Sequence, residues 1–85
     1  MTVGEMLVYL VLCERVFLNE EKLEEGFTVE EVAALAGESR EKALNLLSSL
    51  AEKGYVVARE DGKWALTREW PAILERIAEE AEMNL

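Results

Sequence analysis

The chain has 85 residues, of which 18 are acidic and 9 are basic, giving a net charge of −9. A chain of this length is expected to form one domain, and its negative charge, taken alone, disfavours a polyanionic partner. The absence of histidine and the single cysteine exclude a histidine-based triad, a Cys/His zinc site and an intrachain disulfide. No other set of residues assembles a catalytic site, so we expect a binding protein without enzymatic activity, cofactor or metal.

The N-terminal segment predicts a helix over about residues 3–19. Thr2 and Glu5 have the spacing of a capping box, which places the helix start at Val3. Every residue from Met6 to Cys13 is apolar, and a helix that is apolar all round must be covered on every side. This eight-residue run is too short to span a bilayer, so we expect a cytoplasmic protein with no membrane partner.

The segment from Glu20 to Glu25 is polar apart from Leu23. The first helix either ends near Asn19 or continues to Glu25, with Gly26 as its stop. The carboxylates are also a candidate site for a divalent cation, but runs of charge usually face water.

A second, short helix is predicted from Val29 to Ala36. Thr28 and Glu31 form another capping box, and Gly37 supplies the left-handed residue that commonly closes a helix.

A third helix is predicted to begin after Ser39, its N-cap, and to run to Lys53, with Gly54 as its stop. Its apolar stripe consists of Ala43, Leu44, Leu47, Leu50 and Ala51. The opposite, polar face consists of Glu41, Lys42, Asn45, Ser48, Ser49 and Glu52.

Two β-prone runs within residues 55–67 flank Asp61-Gly62, which is a strong hairpin signal. A two-residue turn at this position gives the cross-strand pairs Glu60–Lys63, Arg59–Trp64, Ala58–Ala65 and Val57–Leu66. Arg59 then has two interpretations, namely a cation–π contact with the Trp64 ring or a contact with a nucleic-acid phosphate or minor groove.

A last helix is predicted over about residues 69–83. Thr67 is its expected cap, and Pro71 is tolerated only near a helix start. Its apolar stripe consists of Ile73, Leu74, Ile77, Ala78 and Ala81.

This order of elements resembles the winged helix-turn-helix family of small prokaryotic, archaeal or viral transcriptional regulators. The resemblance rests on Ala33-x-x-x-Gly37, on Leu50-x-x-Lys53-Gly54-Tyr55-Val56 and on Leu66-Thr67. It implies an α+β, mostly α fold with a three-helix core, a two-stranded wing and an extra C-terminal helix. The helix-turn-helix would cover about residues 28–53 and the wing about residues 55–67, within one domain of residues 1–85.

The distribution of charge agrees with a DNA-binding role for the third helix and the wing. Residues 39–68 hold six basic and four acidic residues, a balance of +2, whereas residues 1–38 carry −7 and residues 69–85 carry −4. In this family the third helix enters the major groove and the wing contacts the backbone. The predicted DNA-binding residues are therefore Arg40, Lys42, Asn45, Ser49, Arg59 and Lys63.

Two functions remain open at this point. The first is a DNA-binding transcriptional regulator that acts as a homodimer on double-stranded DNA. The alternative is a winged helix that binds protein, as a module or a subunit of a larger assembly, and it explains the charge of −9 more easily. A contiguous positive strip linking Arg40, Lys42 and Lys63 favours DNA, and an interrupted strip favours protein.

The first and last helices have the apolar surface that a dimer would need. The predicted interface residues are Met6, Leu10, Cys13, Ile73 and Ile77. Cys13 is interpreted as a small buried apolar residue, with an intersubunit disulfide as the alternative. Glutamine is absent and glutamate abundant, which is typical of a thermophilic source.

Overall fold

The computed structural model describes the backbone of residues 1–83 and the side chains of residues 1–80. Within this part the protein is mostly helical, with one two-stranded antiparallel sheet. The elements are α1 Val3–Leu18, α2 Glu21–Glu25, α3 Val29–Ala36, α4 Arg40–Glu52, β1 Val56–Ala58, β2 Trp64–Leu66 and α5 Trp70–Met83. None of these helices combines the length and the apolar character that crossing a membrane requires.

Helix α1 begins with the predicted capping box, in which Thr2 and Glu5 each accept a hydrogen bond from the other's backbone N–H. The helix ends at Leu18, and α2 follows as a separate short helix that is closed by Gly26. Only one side of α1 is buried in the protomer, through Val8, Tyr9, Leu12, Cys13 and Val16. The side of α1 that faces away from the core carries Val3, Leu7, Leu10 and Phe17, all exposed.

The core lies where α1, α3 and α4 pack against one another. Its largest fully buried side chains are Tyr9, Phe27, Leu12, Leu47, Leu50, Val8 and Val32. Helix α5 packs on α1, burying Ile73 and Ile77, and the Tyr9 hydroxyl donates to the Trp70 carbonyl at 3.5 Å. The Thr67 hydroxyl does not cap α5, because it has no hydrogen-bond partner among the described residues; the Thr67 carbonyl instead accepts from the Trp70 N–H.

Phe27 joins the hairpin to the helical core. Its N–H and carbonyl both bond to the backbone of Trp64, each at 2.7 Å, in an isolated antiparallel bridge. The preceding residue, Gly26, turns the chain out of α2 with φ of 79° and ψ of −176°, a conformation that is essentially restricted to glycine. The Phe27 ring is fully buried, so this bridge anchors the sheet to the core.

The predicted register of the hairpin was wrong by one residue. The observed pairs are Val56–Leu66, Val57–Ala65 and Ala58–Trp64. The Gly62 N–H bonds to the Arg59 carbonyl, and the Arg59 N–H bonds to the Lys63 carbonyl. The loop therefore has three residues and ends in Gly62 at φ of 83°, which is the usual form of a three-residue hairpin loop. Because of this shift, Val56 rather than Val57 is buried opposite Leu66.

Candidate functional site

The turn between α3 and α4 holds these two helices against each other. Gly37 adopts the left-handed conformation, with φ of 67° and ψ of 33°, and its N–H bonds back to the end of α3. The Glu38 N–H also bonds to the Ala33 carbonyl at 2.9 Å. The Ser39 side chain then accepts from the Lys42 N–H and caps α4.

Helix α4 has one buried and one exposed side. Ala43, Leu47 and Leu50 are fully buried, and they fix the rotation of the helix about its axis. The exposed side chains opposite them are Arg40, Glu41, Lys42, Asn45, Ser48 and Glu52. Of the predicted DNA-binding residues on this helix, Arg40, Lys42 and Asn45 therefore lie on an accessible surface.

Both basic side chains at the start of α4 face carboxylates. Arg40 Nε lies 3.1 Å from Glu30 Oε1, and Lys42 Nζ lies 3.4 Å from Glu38 Oε2. The Arg40 side chain is 63% exposed and that of Lys42 is 60% exposed. Such exposed pairs contribute little to stability, so they hold these cations only weakly.

Ser49, the fourth predicted DNA-binding residue of α4, is half-buried, and its hydroxyl is engaged within the protein. Its hydroxyl donates to Glu5 Oε2 at 2.6 Å, and Lys53 Nζ donates to the same oxygen at 2.7 Å. The Thr2 N–H donates to the other carboxylate oxygen at 2.8 Å. These bonds join α4 to the start of α1 around a buried carboxylate.

The Glu5 carboxylate is almost completely buried, at 2% exposure. Hydrogen bonds from Lys53, Ser49 and Thr2 hold its pKa far below the usual value, and they outweigh the effect of burial, which acts in the opposite direction. We did not predict this cluster. One sequence signal indicated it, since Glu5 lies at helical spacing from Val8, Tyr9 and Leu12 and therefore on the buried side of α1.

Arg59 makes contacts within the protein, but its guanidinium does not stack on Trp64, which was one of its two interpretations. Its guanidinium donates to the Glu24 carbonyl and, at 2.8 Å, to Asp61 Oδ2. Among the described side chains the one cation found over an aromatic ring is Lys22, 4.9 Å from the centre of the Phe27 ring.

Lys63, beside the hairpin loop, has no carboxylate within ion-pair distance among the described residues, and its backbone N–H donates to Asp61 at 3.0 Å. The pKa of Asp61 is lowered by this hydrogen bond and by the positive charges of Arg59 and Lys63. In the strip predicted for DNA, Arg40 and Lys42 are each paired with a carboxylate, that of Glu30 and that of Glu38, and these ion pairs interrupt the strip.

Three of the predicted interface residues lie inside the protomer. Cys13, Ile73 and Ile77 belong to the core, with exposures of 3, 6 and 8%, because α5 covers that side of α1. Burial raises the pKa of the Cys13 thiol to about 11, and this side chain lies among apolar neighbours rather than on the surface. Met6 is half-buried, whereas Leu10 is exposed on the outer side of α1.

The carboxylates of α2 contact basic side chains. Glu24 pairs with Arg68 at 2.7 Å, and Glu25 lies 3.4 Å from Lys22. In the described part of the chain, no three acidic or thiol side chains are grouped closely enough to hold a metal ion.

No family model, curated protein or solved structure matches this chain.

Proposed function

We propose that this protein is a winged helix-turn-helix regulator that binds double-stranded DNA as a homodimer, with α4 in the major groove and the β1–β2 hairpin on the backbone. The observation that carries this proposal is the division of α4 into a fully buried apolar side and an exposed polar side. A helix that enters the major groove needs this arrangement, because its base-reading side chains must make few contacts within the protein.

The side chains on the exposed side of α4 fit separate parts of a DNA site. The Asn45 amide has the donor and acceptor that pair with the N6 and N7 edge of adenine. Arg40 and Lys42 lie at the N-terminal end of the helix, where they suit phosphate contacts. Lys63, on the hairpin, is a third cation for the backbone.

The ion pairs of Arg40 and Lys42 are compatible with this role because they are exposed. An exposed pair is worth about 0–1 kcal/mol, so a phosphate can replace Glu30 or Glu38 as the partner at low cost. The chain nevertheless has few such cations and a net charge of −9. We expect few phosphate contacts and therefore a shallow dependence of affinity on salt concentration.

A protein-binding winged helix is the second candidate, and the interrupted positive strip favours it. An α4 surface with alternating carboxylates and cations, including Glu41, Lys42 and Glu52, offers charge complementarity to another mixed surface. It offers less to a uniform row of phosphates.

The first prediction is that Lys42→Ala and Lys63→Ala each weaken DNA binding without changing thermal unfolding. Each lost phosphate contact should reduce the slope of log K against log salt by about 0.9. The measurement is a fluorescence-anisotropy titration with mixed genomic fragments at several salt concentrations. Arg76→Ala is the matched control, because it removes one exposed positive charge from α5, which is not part of the proposed DNA surface.

Loss of affinity in both lysine variants, with the control unchanged, supports the proposal that the protein binds DNA through α4 and the hairpin. If the wild-type chain fails to bind DNA even at low salt, this proposal is wrong. Equal effects of all three substitutions would indicate a general charge effect and would also contradict the proposed surface.

A further inference from the structure

We infer that the outer side of α1 is a self-association surface, which pairs with the same surface of a second copy and inserts Phe17 into a groove between α1 and α5 of the partner. The inference rests on the homodimer of the proposed function, but it does not depend on DNA binding. It also replaces the buried residues Ile73 and Ile77 as the interface, while Cys13 contributes only as one of the residues that line the groove.

The exposed apolar side chains of the described residues are concentrated on this side of the protein. Val3 is 86% exposed, Leu7 43%, Leu10 42% and Phe17 75%. These positions follow one another at intervals of four, three and seven residues, so they form a stripe along one side of the helix. Leu18, beside the end of the stripe, is 66% exposed.

The groove lies next to Phe17, the aromatic residue of this stripe. It is an open cavity of about 300 Å³ lined by Leu10, Cys13, Glu14, Phe17, Trp70 and Leu74. A cavity of about 150 Å³ is sufficient to hold benzene, so the groove has room for a phenylalanine ring. The protruding ring and the groove are on one surface, which is what a two-fold contact between identical surfaces requires.

The charge of α1 favours a second copy over a charged partner. The helix contains Glu5, Glu14 and Arg15 as its charged residues. Glu5 is paired with Lys53, which leaves one exposed acid and one exposed base. The exposed acid, Glu14, lies within the stripe between Leu10 and Phe17 and next to Arg15 in the chain. The stripe therefore carries one carboxylate, most of the overall charge of −9 is located elsewhere, and two copies can approach through α1 with limited repulsion.

The size of the surface also fits a dimer. Taking about 150–250 Å² for a large exposed side chain, the five apolar residues present on the order of 500 Å². Patches of that size are near the upper limit for monomeric proteins. A standard interface takes about 800 Å² from each partner, and in homodimers about 65% of it is apolar, so this stripe supplies the apolar centre of such an interface.

The decisive measurement is sedimentation at micromolar concentration. We expect the wild-type chain at twice 9.6 kDa, and Leu10→Glu and Phe17→Glu at the mass of one chain with unchanged helicity. The matched control is Val57→Glu, since Val57 is an apolar residue of similar exposure, 47%, on the hairpin; this variant should remain a dimer. A wild-type monomer, or a dimer that persists in both α1 variants, would overturn the inference.

A complementation experiment tests whether the surface meets itself. Phe17 is both the ring that enters the partner's groove and part of the lining of its own groove, so the two copies of Phe17 lie close to each other in the proposed contact. Phe17→Glu and Phe17→Lys should each be monomeric alone and should form a species of double mass when mixed. If the mixture stays monomeric while each variant is folded, the two copies of Phe17 do not lie close together and the inference is wrong.

These results are independent of the DNA experiment. A dimer that binds no DNA contradicts the proposed function and leaves the α1 surface in place. A monomer that binds DNA contradicts the α1 surface alone.

Discussion

Glu5 is the one charged residue in the described chain whose side chain is buried. Its carboxylate accepts a hydrogen bond from the Thr2 N–H at the start of α1. It also accepts hydrogen bonds from Ser49 on α4 and from Lys53, the residue that follows α4. Glu31 has the same capping-box role at the start of α3 and pairs with Lys22 at 2.8 Å, but its side chain is 42% exposed. The two glutamates therefore differ mainly in burial.

Replacing Glu5 by glutamine should destabilise the protein more than the same change at Glu31. Glu5→Gln replaces a buried carboxylate, which accepts hydrogen bonds, by a neutral amide, and we expect the free energy of unfolding to fall by about 1–3 kcal/mol. Glu31→Gln should cost less because water already solvates that carboxylate. Chemical denaturation of both variants at neutral pH measures the difference, and an equal or larger loss at Glu31 would contradict the role assigned to the buried cluster.

The same residue gives a pH dependence with a definite sign. The pKa of Glu5 is held far below its ordinary value of 4.5 in the folded state, so the unfolded chain binds a proton first as the pH falls. The stability from Glu5 is therefore complete above pH 4.5 and is lost progressively below it. Between pH 6 and pH 3 the free energy of unfolding should depend less on pH for Glu5→Gln than for the wild type, since the variant lacks this titration. Denaturant titrations at several pH values measure this dependence.

At the level of elements, the connection from α2 to the sheet depends on Gly26. A Cβ atom at this position would lie 2.9 Å from the Arg59 side chain and 3.1 Å from the Trp64 carbonyl. That carbonyl is fixed by its bond to the Phe27 N–H, so it cannot move without loss of the bridge. The Lys22 ammonium also donates to the Gly26 carbonyl at 3.3 Å, which holds the same turn from the other side.

Gly26→Ala should therefore be more damaging than Gly37→Ala. At Gly37 the backbone is left-handed but no atom lies within 4 Å of an added Cβ, so the cost is about 1–2 kcal/mol of backbone strain. At Gly26 a strain of about 1–3 kcal/mol is added to the contacts with Trp64 and Arg59. Thermal unfolding compares the two, at about 4–8 °C per kcal/mol for a domain of this size, and a smaller shift at Gly26 would show that the bridge tolerates displacement.

At the scale of the whole molecule, an acidic surface and an exposed apolar stripe have opposite effects on self-association. The carboxylates repel other copies and polyanions, while the α1 stripe favours contact with a second copy. A protein of 85 residues buries a modest fraction of its surface alone, so association through α1 would add to its stability.

The thermal midpoint should therefore rise with protein concentration. If unfolding separates the two copies, a tenfold increase in concentration raises the midpoint by about 3 °C. In Leu10→Glu the midpoint should not depend on concentration, and in Val57→Glu it should behave as in the wild type. Calorimetry over two decades of concentration measures this, and a constant midpoint in the wild-type chain would contradict a dimer linked to folding.

The sequence by itself determined the helices and the hairpin, because their signals are local. The capping boxes at Thr2 and Thr28 and the glycine at position 37 begin or end helices through contacts within a few residues of the chain. The apolar stripe of α4 likewise predicted which side of that helix is buried.

Tertiary structure alone decided the pairings between distant parts of the chain. The hydrogen bond from Ser49 to Glu5 is one such pairing, because the packing of α1 on α4 sets which edge of α4 is covered. The hairpin register shifted because the Gly62 conformation and the bridge from Phe27 to Trp64 select a three-residue loop. Cys13 is buried, in agreement with its interpretation as a small apolar residue, but α5 of the same chain covers it, and this leaves Leu10 and Phe17 uncovered. These outcomes depend on how the helices and the hairpin pack against one another. The periodicity of a single helix shows which of its sides is apolar, but not which element covers that side.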